Sequence, residues 1–206
     1  LSITRKLHFL NNKGLNAKFD FRPIELKNKR AVILGYGGVG QKIAIRAKSF
    51  GLNVDVITNK SIYNKSEFNI YLFKNFYQII SKANIIFISA PLTKATKNLF
   101  NFKTFKLMKK KSIIINVSRG EIISTEDLVT ALKEKIILAA GLDVTYPEKL
   151  PTNHDLFKIN NVIITPHIAS ISSKFHSNNL NLIKKNIYRY LNGFDLINSV
   201  NLKDGY

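Results

Sequence analysis

Short apolar runs alternate with helix-like segments along most of this chain, and that alternation strongly limits the folds open to it. Each run has four or five residues, is rich in Val and Ile, and lacks the polar alternation of a half-buried strand. Runs of this kind are typical of strands buried on both faces. The predicted strands are Ala31–Leu34, Val54–Ile57, Ile85–Ser89, Ile113–Val117, Leu138–Leu142 and Val162–Thr165.

Helical periodicity fills the intervals between the first five strands, at Gly40–Phe50, Phe73–Lys82, Thr104–Lys109 and Thr125–Lys133. A helix between two strands favours a right-handed crossover, which makes the strands parallel. We therefore predict an α/β fold, a Rossmann-type doubly wound parallel sheet of six strands. Further helices are expected at Ser2–Asn11 and Ser177–Tyr190, the second followed by Gly193.

A G-Y-G-G-V-G sequence follows the first predicted strand directly and opens the first helix. In that context the pattern is typical of a dinucleotide-binding loop, whereas alone it is weak evidence. Its first glycine permits a tight turn, its second lets a pyrophosphate approach the backbone, and its last lets the helix pack close to the strand. The helix N-terminus then offers free N–H groups to phosphate. The residues expected here are Gly35, Gly37, Gly38, Val39 and Gly40.

The end of the second predicted strand bears on the choice between NAD and NADP. An acidic residue that binds the adenosine ribose is usual about 20 residues after the glycine loop. Here Asp55 comes three residues too early, and Thr58 occupies the acidic position, followed by Asn59 and Lys60. Loss of the carboxylate removes repulsion against a 2′-phosphate, and Lys60 offers it a cation. This favours NADP or a relaxed preference, with NAD bound through hydroxyl and amide groups as the alternative.

Three residues with catalytic chemistry follow predicted strands in the second half of the chain. Arg119 offers a planar fork for a carboxylate, and His167 is an acid near neutral pH. Glu148 is a carboxylate suited to hold an imidazole ring and favour its protonated form. Each alone is more often structural, but together they fit a ketone that accepts a hydride and a proton. Asp143 is suited to a hydrogen bond from nicotinamide.

These residues resemble the motifs of the D-2-hydroxyacid dehydrogenase family. The similar stretches are Asn116-Val117-Ser118-Arg119-Gly120, Leu142-Asp143-Val144 with Pro147-Glu148, Thr165-Pro166-His167-Ile168-Ala169, and Pro91-Leu92-Thr93 with Thr96. The closing residues 200–206 also resemble the return segment of the family, so the likeness covers nearly the whole chain.

The resemblance implies a role for each matching residue. His167 is then the acid/base, Glu148 its partner and Arg119 the substrate anchor, while Asp143 contacts the nicotinamide. Further cofactor contacts are expected from Pro91, Thr96, Ser118 and Ala169. The implied reaction moves a hydride between NAD or NADP and a 2-oxo acid such as glyoxylate, hydroxypyruvate or a phosphoglycerate-like acid. The resemblance also implies a homodimer.

The chain departs from the family pattern at three places. The ribose acid is absent, and Gly38 stands where many members carry Arg. Only some thirty residues precede the first strand, whereas members have a substrate domain of about a hundred residues there, a usual domain size. We therefore expect a fragment that is inactive alone. Its expected parts are residues 1–30 as leading helix and connection, 31–170 as the NAD(P)-binding domain, and 171–206 as C-terminal helix and return segment.

Composition excludes several other classes of protein. The absence of Cys excludes disulfides and thiolate metal sites, and we expect no metal. No apolar run is long enough to span a membrane, so a cytoplasmic location is the default. The net charge of +19 would fit nucleic-acid binding, but the basic residues are spread along the chain and no nucleic-acid-binding motif is present. We attribute the charge to compositional drift.

Two other functions remain as alternatives at this point. A formate dehydrogenase is disfavoured, because the resemblance implies that this branch lacks a Glu at the position of Glu148. A non-catalytic dinucleotide-sensing module, like the transcriptional corepressors that share the fold, is a second alternative. Retention of Arg119, Glu148 and His167 favours the enzyme.

Overall fold

Seven parallel strands form a single sheet in the computed structural model, which describes residues 1–10, 22–59 and 67–200. The spatial order is β3-β2-β1-β4-β5-β6-β7. The strands are β1 (Arg30–Leu34), β2 (Asn53–Ile57), β3 (Asn69–Tyr71), β4 (Ile85–Ile88), β5 (Ile113–Asn116), β6 (Ala139–Leu142) and β7 (Val162–Ile164).

The prediction of six strands is wrong by one, although the class of fold is confirmed. The additional strand, β3, is three residues long and only partly buried at the edge of the sheet. It pairs with β2, with Asn69 opposite Asp55 and Tyr71 opposite Ile57. Three residues with one polar member carry too little apolar periodicity to mark a strand. Its pairing with β2 defines it instead.

Eight α-helices are described; most lie at predicted positions and differ in length, whereas the helix at Asp155–Lys158 was not predicted. The predicted leading helix is broken at Lys6, whose φ is 51°, and its last residue lies outside the described chain. The predicted helix at 73–82 is a 3₁₀ turn (Phe73–Asn75) followed by a short helix. The helices are α1 (Ser2–Arg5), α2 (Leu7–Leu10), α3 (Gly38–Ser49), α4 (Phe76–Ile80), α5 (Phe102–Leu107), α6 (Thr125–Lys133), α7 (Asp155–Lys158) and α8 (Phe175–Leu191).

Apolar side chains cover both faces of the sheet. Val32 and Leu34 belong to one buried cluster, and Ala31 and Ile33 belong to a second. All four side chains are almost completely buried. Since successive strand residues point to opposite faces, burial of both faces removes the need for polar alternation. This confirms the interpretation of the short apolar runs.

The strand order creates a crevice at the carboxyl end of β1. The chain runs from β1 outward through β2 and β3, then returns to β4 on the other side of β1. Loops that leave β1 and β4 therefore diverge to opposite faces of the sheet. In open α/β sheets, ligands bind at such a reversal of strand order, outside the carboxyl ends.

The chain divides into two compact units, Leu1–Pro166 and His167–Tyr206. The first contains the whole sheet, and the second contains α8. The second unit is stabilised by hydrogen bonds between α8 and the segment after it, including Ile197 N to Asn186 Oδ1 at 2.8 Å. The predicted borders at residues 30/31 and 170/171 stay predictions. Among the described helices, none is long and apolar enough to cross a membrane.

Candidate functional site

The glycine loop is shaped by contacts that only glycine allows. Gly35 has φ 92°, and a Cβ there would lie 2.6 Å from the Cα and N of Ala90. A Cβ on Gly40 would lie 2.1 Å from the carbonyl oxygen of Gly35. Both contacts involve backbone atoms, which cannot turn aside. The loop therefore lies directly against the end of β4, and α3 begins directly beside the loop.

The other two glycines of the loop line open space. A Cβ on Gly37 or Gly38 would meet nothing within 4 Å, and Val39 is largely exposed. Gly37 is the N-cap of α3 and has no side chain to bond the first N–H groups, and the first turn holds no acidic residue. No side chain of the loop glycines therefore covers these N–H groups or the positive end of the helix dipole. The arrangement fits a phosphate or pyrophosphate group.

Ser89 joins the two strands that border the crevice. Its Oγ lies 3.1 Å from the Leu34 carbonyl and 3.0 Å from the Gly35 carbonyl, so its hydroxyl donates to the turn itself. Sequence reasoning gave Ser89 no role beyond the end of a strand. A hydroxyl residue directly after β4, opposite a glycine turn, was the available signal.

The end of β2 is placed beside the same crevice. Thr58 is buried, and its N–H donates to the Tyr71 carbonyl at 3.0 Å, while Asn59 is exposed. Lys60, the predicted partner of a 2′-phosphate, lies outside the described residues. Thr58 and Asn59 thus follow directly on the carboxyl end of β2.

Asp55 lies inside β2, as predicted, and its carboxylate contacts residues of the neighbouring strands. Its Oδ2 lies 3.0 Å from Nη1 of Arg30, and its Oδ1 accepts from Asn69 Nδ2 at 2.9 Å. Asp55 is 1% exposed, and its carboxylate links β2 to both of its neighbours, β1 and β3. The partners of this carboxylate are therefore Arg30 and Asn69, inside the sheet.

The loop after β4 is held by two threonines. The Thr96 hydroxyl donates to the Pro91 carbonyl at 2.8 Å and accepts from the Thr93 N–H at 2.8 Å. The Thr93 hydroxyl lies 3.3 Å from the Thr96 N–H in return. Thr96 is buried and uses its hydroxyl inside the loop. The structure thus gives it a positioning role for Pro91 and its neighbours.

Buried Asn116 organises the turn that carries Arg119. Its Oδ1 accepts from the Ser118 N–H at 3.0 Å, and its Nδ2 donates to the Arg119 carbonyl at 2.9 Å. The Ser118 hydroxyl donates to the carbonyl of Ala90, the residue that Gly35 touches. Arg119 itself is exposed, and its guanidinium donates to the Ser118 carbonyl at 2.8 Å. The glycine loop, the β4 loop and the arginine turn are therefore contiguous.

Gly120 brings the arginine turn against the loop that leads to Glu148. A Cβ on Gly120 would lie 2.0 Å from the Thr145 carbonyl oxygen. The Thr145 hydroxyl donates to the Pro147 carbonyl at 2.9 Å and lies 3.2 Å from the Glu148 carbonyl. Glu148 is exposed. Sequence reasoning quoted Gly120 without a role, because a close approach between distant loops leaves no local pattern.

Asp143 lies at the carboxyl end of β6, between its neighbouring strands. Its N–H donates to the Asn116 carbonyl at 2.9 Å, and its Oδ1 accepts from the Thr165 hydroxyl at 2.5 Å. The residue is 6% exposed. A buried carboxylate held by a hydroxyl is oriented, and Thr165 is a positioning residue that sequence reasoning did not single out.

His167 and Ala169 belong to the second unit and are exposed. The backbone of His167 is left-handed, with φ 55°, an uncommon conformation for a residue with a side chain. Such conformations concentrate at functional sites. Among the described residues, no group of three His, Asp or Glu side chains is arranged to hold a metal ion.

Comparison with known proteins agrees with this geometry. The family profile described as D-isomer specific 2-hydroxyacid dehydrogenase, NAD binding domain, matches residues 1–169. A glyoxylate reductase from Pyrococcus horikoshii is 38% identical over 176 residues, which are 84% of this chain and 52% of that protein. The human glyoxylate reductase/hydroxypyruvate reductase is 37% identical over 163 residues, 78% of this chain and 49% of that protein.

A solved structure extends the likeness to the whole described fold. The D-isomer specific 2-hydroxyacid dehydrogenase from Xanthobacter autotrophicus Py2, in complex with NADPH and MES, superposes with a TM-score of 0.88. It is 25% identical, and the match covers 100% of this chain and 84% of that one. The chain spans about half the length of the two reductases named above. The protein therefore belongs to the D-isomer specific 2-hydroxyacid dehydrogenase family, of which it carries the NAD-binding domain.

Proposed function

We propose that the protein is an NAD(P)-dependent oxidoreductase that interconverts a 2-oxo acid and a 2-hydroxy acid. The observation that carries the proposal is the continuous contact from Gly35 through Ala90 to Ser118, which sets the phosphate cradle beside the turn of Arg119. The two relatives named above are a glyoxylate reductase and a glyoxylate reductase/hydroxypyruvate reductase, so small 2-oxo acids of that kind are the proposed substrates. They give no support to a corepressor-like module.

The residues present fit a dinucleotide. Open space at Gly37 and Gly38, beside the first turn of α3, suits the pyrophosphate. Thr58 and Asn59 stand at the ribose end, and Ser118 and Asp143 lie at the next carboxyl ends of the sheet. When bound, the nicotinamide supplies the hydride. The residues of the chain orient it, and Asp143 is the proposed acceptor for its amide.

Three further residues carry the proposed substrate chemistry. Arg119, exposed at the end of its turn, pairs its fork with the substrate carboxylate and draws the ketone toward the cofactor. The family motif assigns proton donation to His167 and makes Glu148 its carboxylate partner. An imidazolium donates to the oxygen on which negative charge develops, which lowers the barrier to reduction.

The cofactor is tested by titrating the chain with NADPH and with NADH, following nicotinamide fluorescence. We expect tighter binding of NADPH, because no carboxylate stands at position 58 to repel its 2′-phosphate. Thr58→Asp should reverse the preference, since a carboxylate there repels the phosphate and accepts from the ribose hydroxyls. Thr58→Ser is the matched control and should keep the order. Tighter binding of NADH by the unchanged chain would refute the NADP preference, and binding of neither would refute the dinucleotide site.

The reaction is tested by NADPH consumption with glyoxylate and hydroxypyruvate, in a protein that also carries the substrate domain of the family. His167→Ala should lower turnover by about two to four orders of magnitude, the usual contribution of a positioned acid, and leave NADPH binding nearly unchanged. Arg119→Lys should also lower turnover, because an ammonium does not reproduce the planar fork. Full turnover in the His167 variant would show that another group is the acid.

We also propose that the protein acts as a homodimer in the cytoplasm. One observation favours a partner for the second unit: α8 and the segment after it expose a row of apolar side chains. The most exposed of these are Tyr188, Tyr190 and Leu191. Analytical ultracentrifugation of the chain decides the oligomeric state, and a monomer at micromolar concentration would oppose the dimer.

A further inference from the structure

Within the glycine loop, Tyr36 is the residue that the proposed cofactor site leaves without a role. It lies between Gly35, which packs against the end of β4, and Gly37, which lines open space. Its side chain is half-buried and packs against the apolar cluster that contains Ile33, on one face of the sheet. The loop therefore leaves its backbone open at Gly37 and packs its aromatic side chain against the core.

An aromatic ring from the edge of the sheet contacts Tyr36 there. Phe68 directly precedes β3, and its ring lies edge-on to that of Tyr36, with the ring centroids 6.4 Å apart and the planes at 77°. This arrangement is favourable, because the positively polarised edge of one ring faces the negatively polarised face of the other. The contact joins the glycine loop to the edge strand, two segments that are distant in the sequence.

Helix α3 contacts both members of this aromatic pair. Lys48, in the last turn of α3, pairs with the carboxylate of Glu67, and its Nζ lies 5.7 Å from the centroid of the Phe68 ring. A cation over an aromatic face is attracted by the ring. Near the start of α3, the side-chain amide of Gln41 donates to the Tyr36 carbonyl at 3.3 Å. The pair is therefore held from α3 as well as from the sheet.

The strand that follows Phe68 is short. Strand β3 has three residues and lies at the edge, where β2 is its neighbour in the described sheet. The side-chain amide of Asn69 donates to Asp55 Oδ1 at 2.9 Å, and the Tyr71 carbonyl accepts from the Thr58 N–H at 3.0 Å. Short, partly buried edge elements are among those that open most readily. The attachment of β3 is therefore sensitive to the loss of one aromatic contact.

We propose that Tyr36 and Phe68 are positioning residues for the dinucleotide, because their contact couples the glycine loop to β3. The inference rests on the proposed function, since it takes the loop to bind the pyrophosphate. Without the ring contact, the loop also populates other backbone arrangements, and the affinity for the dinucleotide decreases in proportion to the fraction of chains that keep the binding arrangement. Coupling acts equally in both directions, so a bound dinucleotide stabilises β3.

The affinity of the chain for NADPH, measured by nicotinamide fluorescence, tests the first direction of this coupling. Tyr36→Leu and Phe68→Leu should each weaken binding about two- to tenfold, the range that corresponds to the loss of one aromatic pair. The double variant should bind no more weakly than the weaker of the single variants, because both changes remove the same contact. Tyr36→Phe keeps the ring and should bind as the unchanged chain does.

Tyr77→Leu is the matched control. Tyr77 is an exposed tyrosine of α4, and its ring makes an edge contact of the same kind with Phe76. This variant should keep the affinity of the unchanged chain, and weakening equal to that of Tyr36→Leu would refute the specific role of the pair. Unchanged affinity in Tyr36→Leu would refute this inference alone. Failure of the unchanged chain to bind NADPH would refute the proposed function as well.

Hydrogen exchange of a peptide that contains β3, followed by mass spectrometry, tests the reverse direction. NADPH at saturation should slow the exchange of β3 amides in the unchanged chain. The protection should be smaller in Tyr36→Leu at equal saturation, because the ring that transmits it is absent. Equal protection in the two proteins would show that NADPH stabilises β3 without the Tyr36 ring, and would refute the coupling.

Discussion

At the scale of single residues, the glycine loop depends on positions that have no Cβ atom. Gly40 and Gly38 lie in the same turn, yet an added Cβ would overlap the backbone at one and meet open space at the other. The two positions therefore separate the requirement for close packing from the requirement for an open cradle. The same contrast exists between Gly120, which touches the Thr145 carbonyl, and Gly37, which touches nothing.

Gly40→Ala should destabilise the fold, whereas Gly38→Ala should not. The methyl group added by Gly40→Ala would lie 2.1 Å from the Gly35 carbonyl oxygen and must displace it. Overpacking of this kind costs about 1–3 kcal/mol. Alanine at Gly38 meets no atom within 4 Å and is the better helix former. Urea unfolding of both variants measures the difference in their free energies of unfolding, if that free energy depends on urea concentration equally in both. Coincident midpoints for the two variants would contradict the close contact.

At the scale of elements, charged side chains tie α6 to α7. Asp155 begins α7 and accepts from Lys133 of α6 at 2.5 Å and from Lys158 at 2.9 Å. The bond from Lys133, followed by that from Lys158, lowers the pKa of the Asp155 carboxyl from 3.8 to about 2. Both lysines are exposed, so salt screens the attraction.

The stability contributed by Asp155 should be present above pH 4 and be lost as the pH falls through 2. The folded state holds the carboxylate more firmly than the unfolded state does, so protonation favours unfolding. A carboxyl NMR titration should place its pKa near 2 in the unchanged chain. It should approach the ordinary value in the Lys133→Ala, Lys158→Ala double variant. A pKa that is equal in both proteins would show that these contacts do not persist in solution.

At the scale of the whole molecule, the positive charge is spread along the sequence. Of 206 residues, 32 are Lys or Arg and 13 are Asp or Glu. A field of this kind attracts anionic ligands over the surface and speeds their approach. It does not by itself read a nucleic acid, which requires a groove-binding element or stacking aromatic residues.

Duplex DNA should bind this protein only at low salt. Binding that depends on contacts between cations and phosphates alone releases counterions, so its affinity decreases steeply as the salt concentration rises. Fluorescence anisotropy of a labelled duplex, measured from 20 mM to 200 mM salt, should show no binding at the upper end. Binding that persists there, with NADPH at saturation, would indicate a dedicated nucleic-acid surface.

The sequence by itself determined the class of fold, most strand positions and the place of the glycine loop. Each of these depends on local properties: apolar runs such as Ile113–Asn116, helical spacing, and a glycine pattern between a strand and a helix. The position of Asp55 inside the second strand was also predicted correctly, because its distance from the loop is a matter of counting.

Only the tertiary structure decided which distant residues meet. The strand β3 exists because it pairs with β2, and Ser89 acquires a role because its hydroxyl reaches the Gly35 turn. Likewise, Gly120 is required because the Thr145 carbonyl lies against it. Lys6 and Lys111, which are more than a hundred residues apart in the sequence, line the same cavity at the amino ends of the strands. Such contacts follow from packing across the sheet, and no local pattern of residue types encodes them.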